Sequence, residues 1–344
     1  MQVANYRKPS SDGNLPHISL ANLATKHGPL MHLKLGESSE IVVSSPQLAK
    51  EIMITHDITF ANRPQLSVAK IMCYNFQDID FSRYGDYWKQ IRKICVMELL
   101  STKNVTSFFP MMLDETNILV NIIKDMYGRP INFSEKMYLL TSAIICRASI
   151  GRTSFAGVFN VVDLFPSLKI LHFISGTNRK LLQLFVAGSA TSSTVLGWSM
   201  SELMKNPSMM RKAQTEVREA FNRKATIDQT DFKKLKYLKM VVKQTLRFHP
   251  AGPLPLSIPR ESTQQCEINV YTIPNKIIGI VNTWALWRDS EYWEESEKFE
   301  PERFNGSPLD VGGNHFQLIP FGAGRRICPN MNFSIASMEL CLAQ

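Results

Sequence analysis

Cys328 lies near the end of the decapeptide Phe321 to Asn330, F-G-A-G-R-R-I-C-P-N, with Gly322, Gly324, Arg325 and Arg326 before it and Pro329 after it. Glycines at 322 and 324 permit backbone turns that bring peptide N–H groups close to the sulfur. Phe333, Ile335, Ala336, Met338, Leu340 and Leu342 predict a buried helix directly after the loop, and its positive N-terminal end favours a thiolate. A thiolate so placed is either a nucleophile or a metal ligand. A buried structural cysteine in a glycine loop is the plainer alternative.

Three other stretches carry side chains that could serve a bound group. In Y-G-D-Y-W-K-Q-I-R-K, Trp88 and Arg92 share one helical face, where an aromatic N–H and a guanidinium can meet one carboxylate. Packing at the edge of a core is the plainer role for such a pair. In F-V-A-G-S-A-T-S-S-T, Phe185 to Thr194, small residues interrupt an apolar helix at a cost in helix stability, which suggests close approach by another group or tight helix packing. In the helix expected over Leu235 to His249, Gln244 and Arg247 face the same way, and P-E-R-F follows at 301–304.

The elements that must position these residues are mostly helical. Periodicity predicts helices over Gln47 to His56, Phe108 to Met126 and Tyr138 to Ile150, and Asn206-Pro207 reads as the start of another. Met31, Leu33 and Leu35 alternate with polar residues ahead of Ile41-Val42-Val43, the pattern of a β-hairpin. Further strands are expected over Glu267 to Asn282, around the turn Ile273-Pro274-Asn275-Lys276. The fold class expected is mainly α with a small β-rich subregion.

Composition narrows the partners. The 344 residues carry a formal charge of +9, but Lys and Arg are dispersed without a polybasic block, which argues against nucleic acid. Six cysteines lack C-x-x-C pairs or zinc-type spacing, and a reduced setting fits them better than a disulfide scaffold. Met1 to Asn14 is too polar for a signal peptide, and no apolar run is long enough to span a bilayer; Arg147 interrupts even Tyr138 to Ile150.

Phe321, Gly324, Arg326 and Cys328 match F-x-x-G-x-R-x-C-x-G, and with W-x-x-x-R and P-E-R-F the chain resembles the cytochromes P-450 of plant microsomal type. The resemblance implies one domain over 1–344, without the family's N-terminal anchor, part of its substrate-roof helices and its C-terminal hairpin. It implies haem b, with Cys328 as the iron ligand and Phe321 and Gly324 shaping the loop. Trp88, Arg92, Arg326 and Arg260, the last within P-L-P-L-S-I-P-R-E, would hold propionates. Thr191 would relay protons, although Ala190 stands where the family has an acid. Gln244 likewise replaces the family's Glu, and Asn330 its last glycine. NADPH would supply electrons through a partner reductase, and the product would be a hydroxylated small apolar metabolite of terpenoid type. By family the site of action is the cytosolic face of the endoplasmic reticulum, or the cytoplasm for a chain without an anchor. A remnant that binds haem weakly and performs no oxygen chemistry is the second reading.

Overall fold

The computed structural model describes residues 3–4, 15–73, 75–150, 179–221, 228–252 and 256–344, and the chain forms two compact units. The first comprises Met1–Arg92, Gly252–Lys298 and Pro308–Cys328. Its frame is a five-stranded sheet of β1 (Val3–Ala4), β2 (Leu30–Leu35), β3 (Ser38–Val43), β7 (Ile278–Val281) and β4 (Arg260–Glu261), in that order. β2 and β3 are antiparallel with Met31 opposite Val42, the hairpin that the alternation predicts. β3 then pairs in parallel with β7, Val42 opposite Ile280.

That parallel pairing explains why Ile41, Val42 and Val43 are all buried: the sheet divides two apolar layers, and successive residues enter opposite ones. Leu30, Ile41, Val43 and Val281 pack with Ile52, Met53, Phe60, Phe316, Ile319 and Ala323 on one side. Met31, Leu33 and Val42 pack with Leu20 on the other. The first layer contains Ala323 of the cysteine loop, so the loop is rooted in the sheet's own core.

The strands β5 (Cys266–Ile268) and β6 (Tyr271–Ile273) form a separate hairpin. Its turn is at Asn269, with a positive φ of 52°, and the turn expected at Ile273-Pro274-Asn275-Lys276 follows β6, with Lys276 at a φ of 59° and β7 beyond it. The chain after Ile273 crosses to β3 instead of pairing back on β6, a non-local partner choice that local turn chemistry does not encode.

Helices α1 (Pro16–His27), α2 (Pro46–Lys50), α3 (Ser67–Met72), α4 (Asp86–Lys93) and α12 (Thr283–Arg288) complete this unit. Ser45 caps α2 by accepting from the Leu48 N–H at 3.4 Å. The helix expected over 47–56 changes to a π turn at Glu51–Thr55 and delivers Met53 and Asp57 to the cysteine loop.

The second unit, Lys93–Ala251, Phe299–Ser307 and Pro329–Gln344, is helical. It contains α5 (Thr102–Ser107), α6 (Phe109–Asp125), α7 (Phe133–Ile150), α8 (Arg179–Lys205), α9 (Pro207–Phe221), α10 (Gln229–Phe232), α11 (Lys236–Phe248) and α13 (Met331–Leu342). Small residues set the α7–α8 contact: Ser189, Ser192 and Ser193 are buried, and Thr141 Oγ1 donates to the Ser189 carbonyl at 3.0 Å. The first turn of α11 has no capping side chain of its own. Glu216 of α9 accepts the N–H groups of Tyr237 and Leu238 at 2.7 and 2.9 Å, satisfying donors that a helix start leaves open. The segments at 151–178 and 253–255 and most of Met1 to Asn14 lie outside the described residues, and with them the stretch V-V-D-L-F-P-S-L-K-I-L and part of the proline-rich run before Arg260.

Candidate functional site

The cysteine loop turns back on itself in the first unit. The Cys328 N–H donates to the Phe321 carbonyl at 2.9 Å, and the Ile327 N–H to the Gly324 carbonyl at 3.0 Å, closing a short 3-10 turn over Gly324–Arg326. Gly324 has a φ of +68°, and a Cβ there would fall on the Met53 carbonyl oxygen, so the residue needs both the left-handed backbone and the absent side chain. Ala323 is fully buried below, while Cys328 itself is partly exposed. None of the six cysteines forms a disulfide.

Around this loop the unit gathers buried cations. Arg326 donates Nε to Ala61 O at 2.8 Å, NH1 to Ile79 O at 3.3 Å and NH2 to Ser82 O at 2.7 Å. Arg63 donates Nε to Asp80 O at 2.7 Å and NH1 to the carbonyls of Ile258 and Pro259, both at 2.8 Å. Carbonyls satisfy the hydrogen bonds but bring no countercharge of their own. Burial therefore pulls both guanidinium pKa values down, Arg63 well below its ordinary value and Arg326 to about 10, and repulsion from Arg260 adds to each. Asp78 and Asp80 lie among these cations; burial raises both of their pKa values, and attraction from Arg63 and Arg326 opposes that rise at Asp80.

Trp88 joins the cluster as a plate. Its ring is buried, its Nε1 donates to Ile79 O at 2.8 Å, and the guanidinium of Arg326 lies 4.2 Å from the ring centroid. Arg92, one turn along α4, lies 5.9 Å from the same ring. The indole thus carries two cations by cation–π contact while its N–H serves the backbone. Arg260, the buried first residue of β4, donates NH1 to Asp57 Oδ1 at 3.2 Å and NH2 to Ala323 O at 2.7 Å.

The first unit therefore brings together Trp88, Arg92, Arg260, Phe321, Gly324, Arg326 and Cys328. Thr191 belongs to α8 of the second unit, where its Oγ1 donates to Ala187 O at 2.5 Å. Thr194, one turn on, does the same to Ala190 O at 2.8 Å. In that unit Asn330 takes a φ of −88°, so this position does not need a left-handed backbone. Its Nδ2 donates to Ser334 Oγ at 3.0 Å and lies 3.0 Å from where a Cβ on Gly188 would stand; the bare backbone at Gly188 makes room for the amide. Gln244 and Arg247 are fully buried, with Arg247 Nε donating to Gln244 Oε1 at 3.1 Å. Arg303 NH2 lies 3.5 Å from Glu300 Oε2.

Sequence reasoning missed Arg63, Asp57 and Asp80. Arg63 reads as part of a helix-ending F-A-N-R-P run, where no spacing pattern singles it out. Asp57 and Asp80 carry none, because their partners are distant in the chain.

The donor set suits a haem. Three buried guanidinium groups on Arg63, Arg260 and Arg326 each carry five N–H donors, more than the hydrogen bonds described above use, which matches a group bearing two carboxylates, and a thiol stands on the adjoining loop. The cytochrome P-450 family model matches residues 4–157 and 176–344. A premnaspirodiene oxygenase of Hyoscyamus muticus is 42% identical over 409 residues, covering 96% of this chain and 81% of the relative. A 5-epiaristolochene 1,3-dihydroxylase of Nicotiana tabacum is 42% identical over 411 residues, with coverage of 96% and 81%. Both alignments are longer than the 344-residue chain, so each relative has stretches without a counterpart in it. A zebra fish cytochrome P-450 solved with progesterone has the same fold, with a TM-score of 0.83 at 21% identity over 96% of this chain and 91% of that one. The chain belongs to the cytochrome P-450 family, whose cofactor is haem b and whose electrons come from NADPH through a reductase. The resemblance of the cysteine loop and its companion motifs is borne out at that level.

Proposed function

We propose that this chain is a haem-thiolate monooxygenase that hydroxylates a small apolar metabolite with O2, taking electrons from an NADPH-dependent reductase. The observation that carries the reading is the cysteine loop closed by the Cys328 N–H, set beside buried arginines whose charge burial disfavours. Bound haem would supply oxygen activation, favoured by electron density from a thiolate ligand. Cys328 would be that ligand. Arg92, Arg326, Arg260 and Arg63 would hold the carboxylates, with Trp88 fixing the planes of Arg326 and Arg92. Phe321 and Gly324 keep the loop's turn. Thr191 would move protons through its hydroxyl, without the neighbouring acid that Ala190 replaces.

A terpenoid-type substrate follows the family resemblance, and two relatives are named for premnaspirodiene and 5-epiaristolochene. The two units are read as parts of one cytochrome P-450 domain over 1–344. The reading places the protein at the cytosolic face of the endoplasmic reticulum; among the described residues no helix is long and apolar enough to cross a membrane. A second reading, a weakly haem-binding and catalytically silent chain, is favoured by the neutral Gln244 beside the buried Arg247. Turnover of candidate sesquiterpenes by haem-loaded protein with reductase and NADPH separates the two: hydroxylated product supports the monooxygenase, and haem binding without product supports the silent chain.

A further inference from the structure

The geometry points to Asp57 as the positioning residue of the Cys328 loop, an anionic clamp on residues 323–325, where the turn into the cysteine begins. Its functional consequence rests on the haem-thiolate reading above. Asp57 follows the π turn Glu51–Thr55, and its side chain is largely buried. Oδ1 accepts from Arg260 NH1 at 3.2 Å and from the Arg325 backbone N–H at 3.3 Å. Oδ2 accepts the same N–H at 3.1 Å and faces Arg325 Nε at 3.3 Å. One carboxylate therefore ties a backbone donor and two guanidinium groups.

The loop is held at three successive residues. Arg260 bridges from Asp57 to the Ala323 carbonyl at 2.7 Å. Gly324 lies so close that a Cβ would reach both the Met53 carbonyl and the Asp57 carboxylate. Arg325 is bound by its own N–H. Cys328 comes three residues later, and its N–H returns to Phe321 across the same turn. Charge adds to the geometry: Asp57 opposes the burial penalty on Arg260, which keeps that guanidinium able to hold the loop carbonyl. A neutral residue of the same shape would retain an acceptor but lose the attraction to both cations.

The test is Asp57→Asn in the full chain, read in two ways. First, amide hydrogen exchange of residues 321–328 is followed without haem; loss of the charged acceptor is expected to speed it by roughly ten- to a hundred-fold. Second, the haem-loaded proteins are compared by the ferrous carbonyl spectrum, where the variant is expected to show a smaller thiolate-type fraction at equal haem content. A purely structural anchor would lower the amount of loaded protein without changing that fraction. Unchanged exchange overturns the clamp, and faster exchange with an unchanged thiolate-type fraction overturns its positioning role. If exchange rises but neither protein binds haem, the clamp stands and the failure belongs to the haem reading. Arg325→Ala, which removes a largely exposed side chain but keeps the backbone donor, should have the smaller effect on exchange; an effect equal to that of Asp57→Asn would show that the backbone bond is not the tie.

Discussion

Replacing Gln244 by Glu tests how the second unit tolerates a buried arginine beside a neutral partner. Gln244 and Arg247 are both fully buried on α11, and their bond at 3.1 Å supplies an acceptor without charge. The Pro301–Phe304 turn, which carries Arg303, packs on the same helix. At about 4 Å and an effective dielectric near 20, attraction between a carboxylate and one guanidinium is about 4 kcal/mol. Desolvating the new carboxylate removes much of that, and a charge-assisted hydrogen bond returns part of it. The net gain expected is about 1–3 kcal/mol, a rise of roughly 1–4 °C in the unfolding midpoint for a chain of this size. Scanning calorimetry at neutral pH reads the shift, and pyridine haemochrome analysis should show higher haem occupancy. The sign with pH is fixed as well. The gain needs an ionised carboxylate whose folded-state pKa is depressed, so it is present above the unfolded value and fades as pH falls below about 4. An unchanged or lower midpoint at neutral pH would refute the argument that a charged acceptor at position 244 holds Arg247 better than the amide does.

Three further outcomes are expected. Burial raises the Glu339 carboxyl to about 7 against the pull of Lys239 and Lys243, so its ionisation costs stability above that pH and nothing below the unfolded value near 4.3. Glu339→Gln should therefore stabilise by on the order of 1–3 kcal/mol at pH 8 and by nothing measurable at pH 4, as read by urea titration. Arg147 NH1 lies 3.0 Å from the fully buried Glu115 and NH2 3.3 Å from Asp114, and Arg147→Met should cost about 1–3 kcal/mol by removing a charged donor to Glu115. Denaturant titration checks this, and a loss under 1 kcal/mol would contradict it. Ala190→Asp, which returns an acid beside Thr191, should raise hydroxylated product per NADPH consumed several-fold, with no change in the carbonyl spectrum.

Local patterns carried much of this fold, because several elements depend on neighbours in the chain. The β2–β3 hairpin follows from alternating side chains, α9 begins at Asn206-Pro207, and α13 takes the range that the apolar run Met331 to Leu342 suggests. What escaped detection depends on partners far along the chain. β7 pairs with β3 across more than two hundred residues, so the strands on either side of the expected turn at 273–276 do not pair with each other. Asp57 and Arg63 become meaningful only when Arg325, Arg260 and the carbonyls near 258 arrive beside them. Trp88 was legible as a site residue by its spacing from Arg92, yet its N–H serves Ile79, a partner set by the loop before α4. Asn330 presents the reverse case: one letter departs from the motif, and the space for it is made on another helix at Gly188.

The ferrous carbonyl spectrum of the haem-reconstituted chain, recorded beside that of Cys328→Ala, bears most directly on whether this sulfur binds iron. A thiolate-type Soret band in the parent that disappears in the variant is the result expected. The same band in both proteins would contradict the account, because the ligand to iron would then lie elsewhere.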